Sequence, residues 1–108
     1  MEVRIRWVTS FDATAGADLA IETVQEDYGH KRQILRELDR RLDPANPIVI
    51  NTSTLSITEL AADSSHPERI LGMHFLYPVT TTRVVEVVRG QLTADEAYAR
   101  AVDFARVL

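Results

Sequence analysis

The sequence predicts an α/β fold, a mostly parallel sheet with flanking helices, and three observations carry that prediction. Short apolar runs alternate with amphipathic segments in the order strand, helix, strand, helix, strand, strand, helix. Residues 17–24 form an apolar run without strict alternation, as expected of a strand covered on both faces. Polar residues lie at the ends of successive runs, and open α/β sheets hold their chemistry at the carboxyl ends of their strands.

The elements follow in chain order. Val3 to Val8 alternates like a short strand, with Val3, Ile5 and Trp7 on one face. Phe11 to Gly16 reads as a connection or a short helical turn, and Ala17 to Val24 as the covered strand. Glu26 to Leu42 reads as a helix, because Ile34, Leu35, Leu38 and Leu42 recur at spacings of three and four. Asp43-Pro44-Ala45-Asn46-Pro47 ends it, since proline cannot continue a helix. Ile48-Val49-Ile50 is a short β-branched strand leading into Asn51-Thr52-Ser53. Ser56-Ile57-Thr58-Glu59 has the form of a capping box and opens a short helix. Arg69 to Phe75 and Val84 to Val88 are two further strands. Thr93-Ala94-Asp95-Glu96 reads as a second capping box, opening a last helix that buries Ala94, Ala97, Tyr98, Ala101, Val102 and Ala105.

Composition narrows the function. The chain has 108 residues and a net charge of −4, which sets it against capture of nucleic acid or of an anionic membrane surface. It has no cysteine, so disulfides, thiolate metal sites and a cysteine nucleophile are excluded. His30, His66 and His74 lack metal-ligand spacing, and no metal site is expected. No apolar run approaches membrane-spanning length and no secretory pattern is visible, which fits a cytoplasmic protein. Ser53 sits in no Gly-x-Ser-x-Gly elbow, and no P-loop is present.

Three segments stand out: Asn51-Thr52-Ser53, Gly72-Met73-His74-Phe75 before Pro78, and Val84-Val85-Glu86-Val87-Val88. A carboxylate against an imidazole fixes its tautomer and raises its basicity, so His74 with Glu86 is a candidate general base. Taken alone, His74 between Met73 and Phe75 reads first as a satisfied core or surface histidine, and Ser53 as a loop or turn serine. Glu86 in an apolar run needs a partner or solvent.

These segments resemble the NAD-dependent 3-hydroxyacyl-CoA dehydrogenases, including the 3-hydroxybutyryl-CoA dehydrogenases, over roughly residues 13 to 105. The family's serine, histidine and glutamate fall on Ser53, His74 and Glu86, the last twelve residues after His74. The resemblance implies oxidation of a 3-hydroxyacyl-CoA to the 3-oxoacyl-CoA. It assigns His74 as base, Glu86 as its orienting partner and Ser53 as the group on the substrate oxygen, near the nicotinamide. It also implies NAD contacts from Glu26 and Lys31, five residues apart; otherwise these read as a helix-start acid and a solvated lysine. One departure is visible. The family has asparagine directly before the proline of its His-Phe-Phe-Asn-Pro-Val-Pro segment, and here that position is Tyr77.

The resemblance further implies an incomplete Rossmann-like domain. The four glycines, at 16, 29, 72 and 90, cannot form the Gly-x-Gly-x-x-Gly loop that cradles a pyrophosphate. The family's first βαβ unit and its C-terminal helical domain have no counterpart. One sheet edge is therefore expected to be exposed, and the chain to work as a homodimer or with a complementing chain, and to be inactive alone. The competing expectation is a non-catalytic remnant that serves as an association module. Glu86 within reach of His74 on an open cleft favours the enzyme; Tyr77 filling that cleft favours the remnant.

Overall fold

The computed structural model describes residues 4–78 and 80–108. Four strands form one sheet in the order β1 (Ala20–Glu22), β2 (Ile48–Ile50), β3 (Ile70–Phe75), β4 (Val85–Val88). The first three are parallel and β4 returns antiparallel to β3. Three helices flank the sheet: α1 (Tyr28–Arg41), α2 (Ile57–Ala61) and α3 (Asp95–Arg106). The mostly parallel α/β architecture is the one the sequence predicts.

Strand alternation sorts the apolar residues into two layers. Ile48, Ile50 and Ile70 face α1 and α2, packing on Leu35, Leu38, Leu42, Ile57, Leu60 and Ala61. Val49, Leu71 and Met73 face the other way, packing with Ala101 and, at the margin, with Tyr98 and Phe104 of α3. β2 and the first four residues of β3 are wholly buried, as strands covered on both faces should be. β1 is not. Ala20 and Ile21 are only partly buried, because β1 is the sheet edge among the described residues.

Caps set the helix boundaries. Helix α1 starts two residues later than periodicity suggests, because the Asp27 carboxylate accepts the His30 amide at 2.7 Å. That leaves Glu26 in the turn after β1. Ser56 caps α2 as expected, accepting the Glu59 amide at 3.2 Å. The second expected capping box does not form. The N-cap of α3 is Ala94, without a side-chain cap. Thr93 is buried instead, donating to the Ile70 carbonyl at 2.8 Å and accepting the Gly90 amide at 2.9 Å. A hydroxyl inside the core serves the buried carbonyl before it serves a helix end open to water.

The expected strand at Val3–Val8 does not form among the described residues. Residues 4–8 belong to no strand of the sheet, Val3 lies outside the described residues, and Trp7 is 91% exposed. Alternation makes a strand only where a neighbouring strand takes up its hydrogen bonds.

Two close contacts hold the sheet to its helices. At the amino end, the guanidinium of buried Arg69 bonds the Asp39 carboxylate at 2.6 Å and reaches carbonyls of Asp39, Leu42, Asp43 and Asn46. It thereby ties the last turn of α1 to the entries of β2 and β3. At the middle of β3, a Cβ on Gly72 would come within 2.8 Å of Ile57 Cδ1. A side chain there would lift α2 from the sheet, and with it the segment from Asn51 to Ser56. Removing the Arg69 charge leaves the partly buried Asp39 carboxylate with only Ser64 and Ser65, and takes its donors from four carbonyls. Arg69→Met is expected to cost about 3–5 kcal/mol, a large share of the roughly 5–15 kcal/mol that stabilises a domain. Urea denaturation at neutral pH measures this; a loss below about 1 kcal/mol would show the contact to be ornamental.

Candidate functional site

The turns after β1 and β2 and the last residues of β3 converge at one end of the sheet. There Val24, Glu26, Asn51, Thr52, Ser53, His74 and Phe75 line an open cleft of about 260 Å³. A larger cleft of about 670 Å³ adjoins it through Asn51 and Phe75. That one opens toward the end of α3 and holds no acid–base pair among its walls, so the smaller cleft is the candidate chemical centre.

His74 comes from β3 and Glu86 from β4, and the antiparallel register sets them directly opposite each other. Their side chains share a face, with His74 Nδ1 3.3 Å from Glu86 Oε1. The imidazole is 32% exposed and the carboxylate 58%, so both are open to solvent. Tyr77 points away: it is 92% exposed and no part of the cleft wall.

Glu26 forms the other wall. Thr52 donates its hydroxyl to Oε1 at 2.7 Å, and Oε2 accepts the Ser53 amide at 2.9 Å and the Ser53 hydroxyl at 3.2 Å. Thr54 adds a weaker contact at 3.4 Å. Desolvation by itself would push the Glu26 carboxyl up. The Thr52 hydroxyl, the Ser53 amide and hydroxyl and the Lys31 charge more than offset it, holding the carboxyl at about 2.

Lys31 is neither a solvated lysine nor a group on the cleft surface. Its ammonium is fully buried and makes three hydrogen bonds, to Glu22 Oε1 at 2.6 Å, the Val24 carbonyl at 3.1 Å and the Asn51 carbonyl at 2.9 Å. An ammonium has three hydrogens, so a nucleotide could engage it only by displacing one of these partners. Lys31 thus lies beneath the cleft, and the NAD contact expected of it would require that displacement. Glu22 completes this arrangement and is the residue that sequence reasoning passed over. The signal was there: an acid inside an apolar run, with a lysine nine residues on.

A family model described as 3-hydroxyacyl-CoA dehydrogenase, NAD binding domain, matches residues 2–108. The chain belongs to this family. Among curated relatives, it is 39% identical over 93 residues to a probable 3-hydroxybutyryl-CoA dehydrogenase of Bacillus subtilis, covering 86% of this chain and 32% of that protein. It is 40% identical over 103 residues to a fatty acid oxidation complex subunit alpha of Acinetobacter baylyi, covering 95% and 14%. Among solved structures, it matches the (S)-3-hydroxybutyryl-CoA dehydrogenase of Ralstonia eutropha with a TM-score of 0.88 and 37% identity, over 92% of this chain and 35% of that one. The chain thus spans a third or less of the length of the curated relatives it matches. Among the described residues no helix is long and apolar enough to cross a membrane.

The hydrogen bonds on Glu26 link its charge to stability. Its carboxyl lies below its ordinary value of 4.5, so the stabilisation is complete above 4.5 and is lost as pH falls toward about 2. Glu26→Gln is expected to lower the urea midpoint at neutral pH and to flatten the acid limb of the stability curve across that window. A parallel loss at neutral and acid pH would show that the carboxylate is not linked to folding.

Proposed function

We propose that this chain supplies the acid–base centre and the nicotinamide side of the cofactor site for NAD-dependent oxidation of a 3-hydroxyacyl-CoA at its 3-hydroxyl. The observation that carries this reading is the His74–Glu86 contact, with His74 on the wall of the cleft that Ser53 and Glu26 also line.

With the Nδ1–H donated to Glu86, His74 presents Nε2 as a proton acceptor. It would take the proton of the substrate hydroxyl while Glu86 stabilises the imidazolium that results. The Ser53 hydroxyl, now turned to Glu26, would donate to the substrate oxygen as negative charge builds there. Glu26 fits a ribose: it is an exposed carboxylate in the turn after a parallel strand, an acceptor for sugar hydroxyls. A bound NAD would supply the acceptor for the hydride leaving C3. The phosphate-binding glycines and the rest of the acyl-CoA cleft are supplied, in this reading, by segments or a partner chain beyond these residues. Relatives named for fatty acid oxidation and for 3-hydroxybutyryl-CoA support that substrate class.

The test is a chimera in which this chain replaces the matching segment of the Bacillus subtilis relative, assayed as NADH formation from 3-hydroxybutyryl-CoA. His74→Ala is expected to lower kcat by about 10²–10⁴-fold with an unchanged melting temperature. Unchanged turnover would reject His74 as the base. A folded but inactive parent chimera would favour the non-catalytic association module instead.

A further inference from the structure

We propose that Glu22 is a positioning residue for this cleft: it holds Lys31 beneath the two turns that carry Glu26 and Ser53, and so fixes those two groups relative to each other. The proposal rests on the reading of the cleft as a cofactor and substrate site.

The geometry comes from three chain segments. Glu22 ends β1, Lys31 lies in the first turn of α1, and Asn51 follows β2. One ammonium bridges the carbonyls of Val24 and Asn51, the residues from which the two turns depart. The Glu22 main chain adds to this by accepting the Asn51 amide at 3.0 Å. Two residues beyond Val24 stands Glu26, and two beyond Asn51 stands Ser53. The bonds between that pair, from the Ser53 amide and hydroxyl, span the same gap from above. The gap between the turns is therefore closed twice, by Lys31 below and by Ser53 with Glu26 above.

Energetics argue that this pair is there for position and not for stability. Glu22 and Lys31 are both buried, and Glu22 Oε2 has no hydrogen-bond partner among the described residues. A buried ion pair with an unsatisfied oxygen is a poor stabiliser, and an apolar pair of like volume is often as good or better. The ion pair does what an apolar pair cannot: it draws two backbone carbonyls to one point. Its charge also lies beneath Glu26 and adds to the forces that keep that carboxylate ionised. An ionised Glu26 accepts hydrogen bonds from a vicinal diol, whereas a protonated one would offer a donor.

The deciding experiment uses the 108-residue chain with labelled glutamate and backbone amides, followed by NMR. The double variant Glu22→Gln, Lys31→Met removes both charges together. It is expected to stay folded, with the Glu26 titration midpoint moved from about 2 toward 4.5 and the Ser53 amide exchanging about tenfold faster or more. A folded double variant with the midpoint and the exchange rate unchanged would overturn the proposal, leaving the pair a merely structural one. Should the double variant fail to fold, the wild-type chain decides. Its Lys31 ammonium protons must exchange slowly and show couplings to the Val24 and Asn51 carbonyls; a freely exchanging ammonium overturns the proposal. Neither readout needs cofactor or turnover, so this inference can fail while the dehydrogenase reading stands, and the reverse.

Discussion

In an antiparallel ladder each residue faces one partner on the same side of the sheet, and the β3–β4 ladder pairs His74 with Glu86. The site depends on that register. A slip of one residue would turn the Glu86 side chain to the α3 face and bring an apolar neighbour opposite His74. The core forbids the slip. Met73 and Leu71 must face α3, while Ile70 and Gly72 must face α2, where Gly72 leaves just enough room for Ile57. Packing at the middle of β3 thus fixes the chemistry at its end. The β4 strand is half exposed, so its own burial pattern contributes less to the register than that of β3.

The same local rules explain why some of this was legible in the sequence and some was not. Helical periodicity and the Ser56 cap are written within a few residues, and β2 was readable because a β-branched triplet between prolines and polar residues has few other uses. The segment from Val3 to Val8 has the right alternation, but a strand needs a neighbour, and alternation cannot supply one. Thr93 misled for a related reason. Its capping spacing is local, while its true acceptor, the Ile70 carbonyl, lies 23 residues away in sequence. At the candidate site, His74, Glu86, Ser53 and Glu26 were singled out through family resemblance and, for Glu86, through the oddity of an acid among valines. The same oddity at Glu22 went unused, and without it Lys31 could be placed only on the surface.

The cleft offers mainly acceptors. Glu26 on its wall is a carboxylate, Glu86 is held against the wall residue His74, Thr52 and Ser53 donate toward Glu26, and the buried cation turns its hydrogens to the protein itself. Such a wall suits ligands that bring hydroxyls, a ribose diol or a secondary alcohol. It is poorly suited to phosphate, which wants backbone amides and helix amino ends.

Two buried cations mark the two ends of the sheet, and their environments differ in an instructive way. Arg69, at the amino end, satisfies its fork with the Asp39 carboxylate and four carbonyls. Lys31, at the carboxyl end, is bound to a carboxylate that keeps one oxygen without a partner. Both gather backbone carbonyls that have no donor in the sheet or helices, which is a backbone problem common to the two: Arg69 does so at the end of α1 and the loop before β2, Lys31 in the turns after β1 and β2. Only the arginine solves it without residue. The planar guanidinium can reach five acceptors at once, whereas an ammonium is a compact group that fits beneath a cleft without filling it. The Asp39 carboxylate beside Arg69 is thus satisfied at both oxygens, whereas the Glu22 carboxylate at the end where ligands are proposed to bind keeps one without a partner.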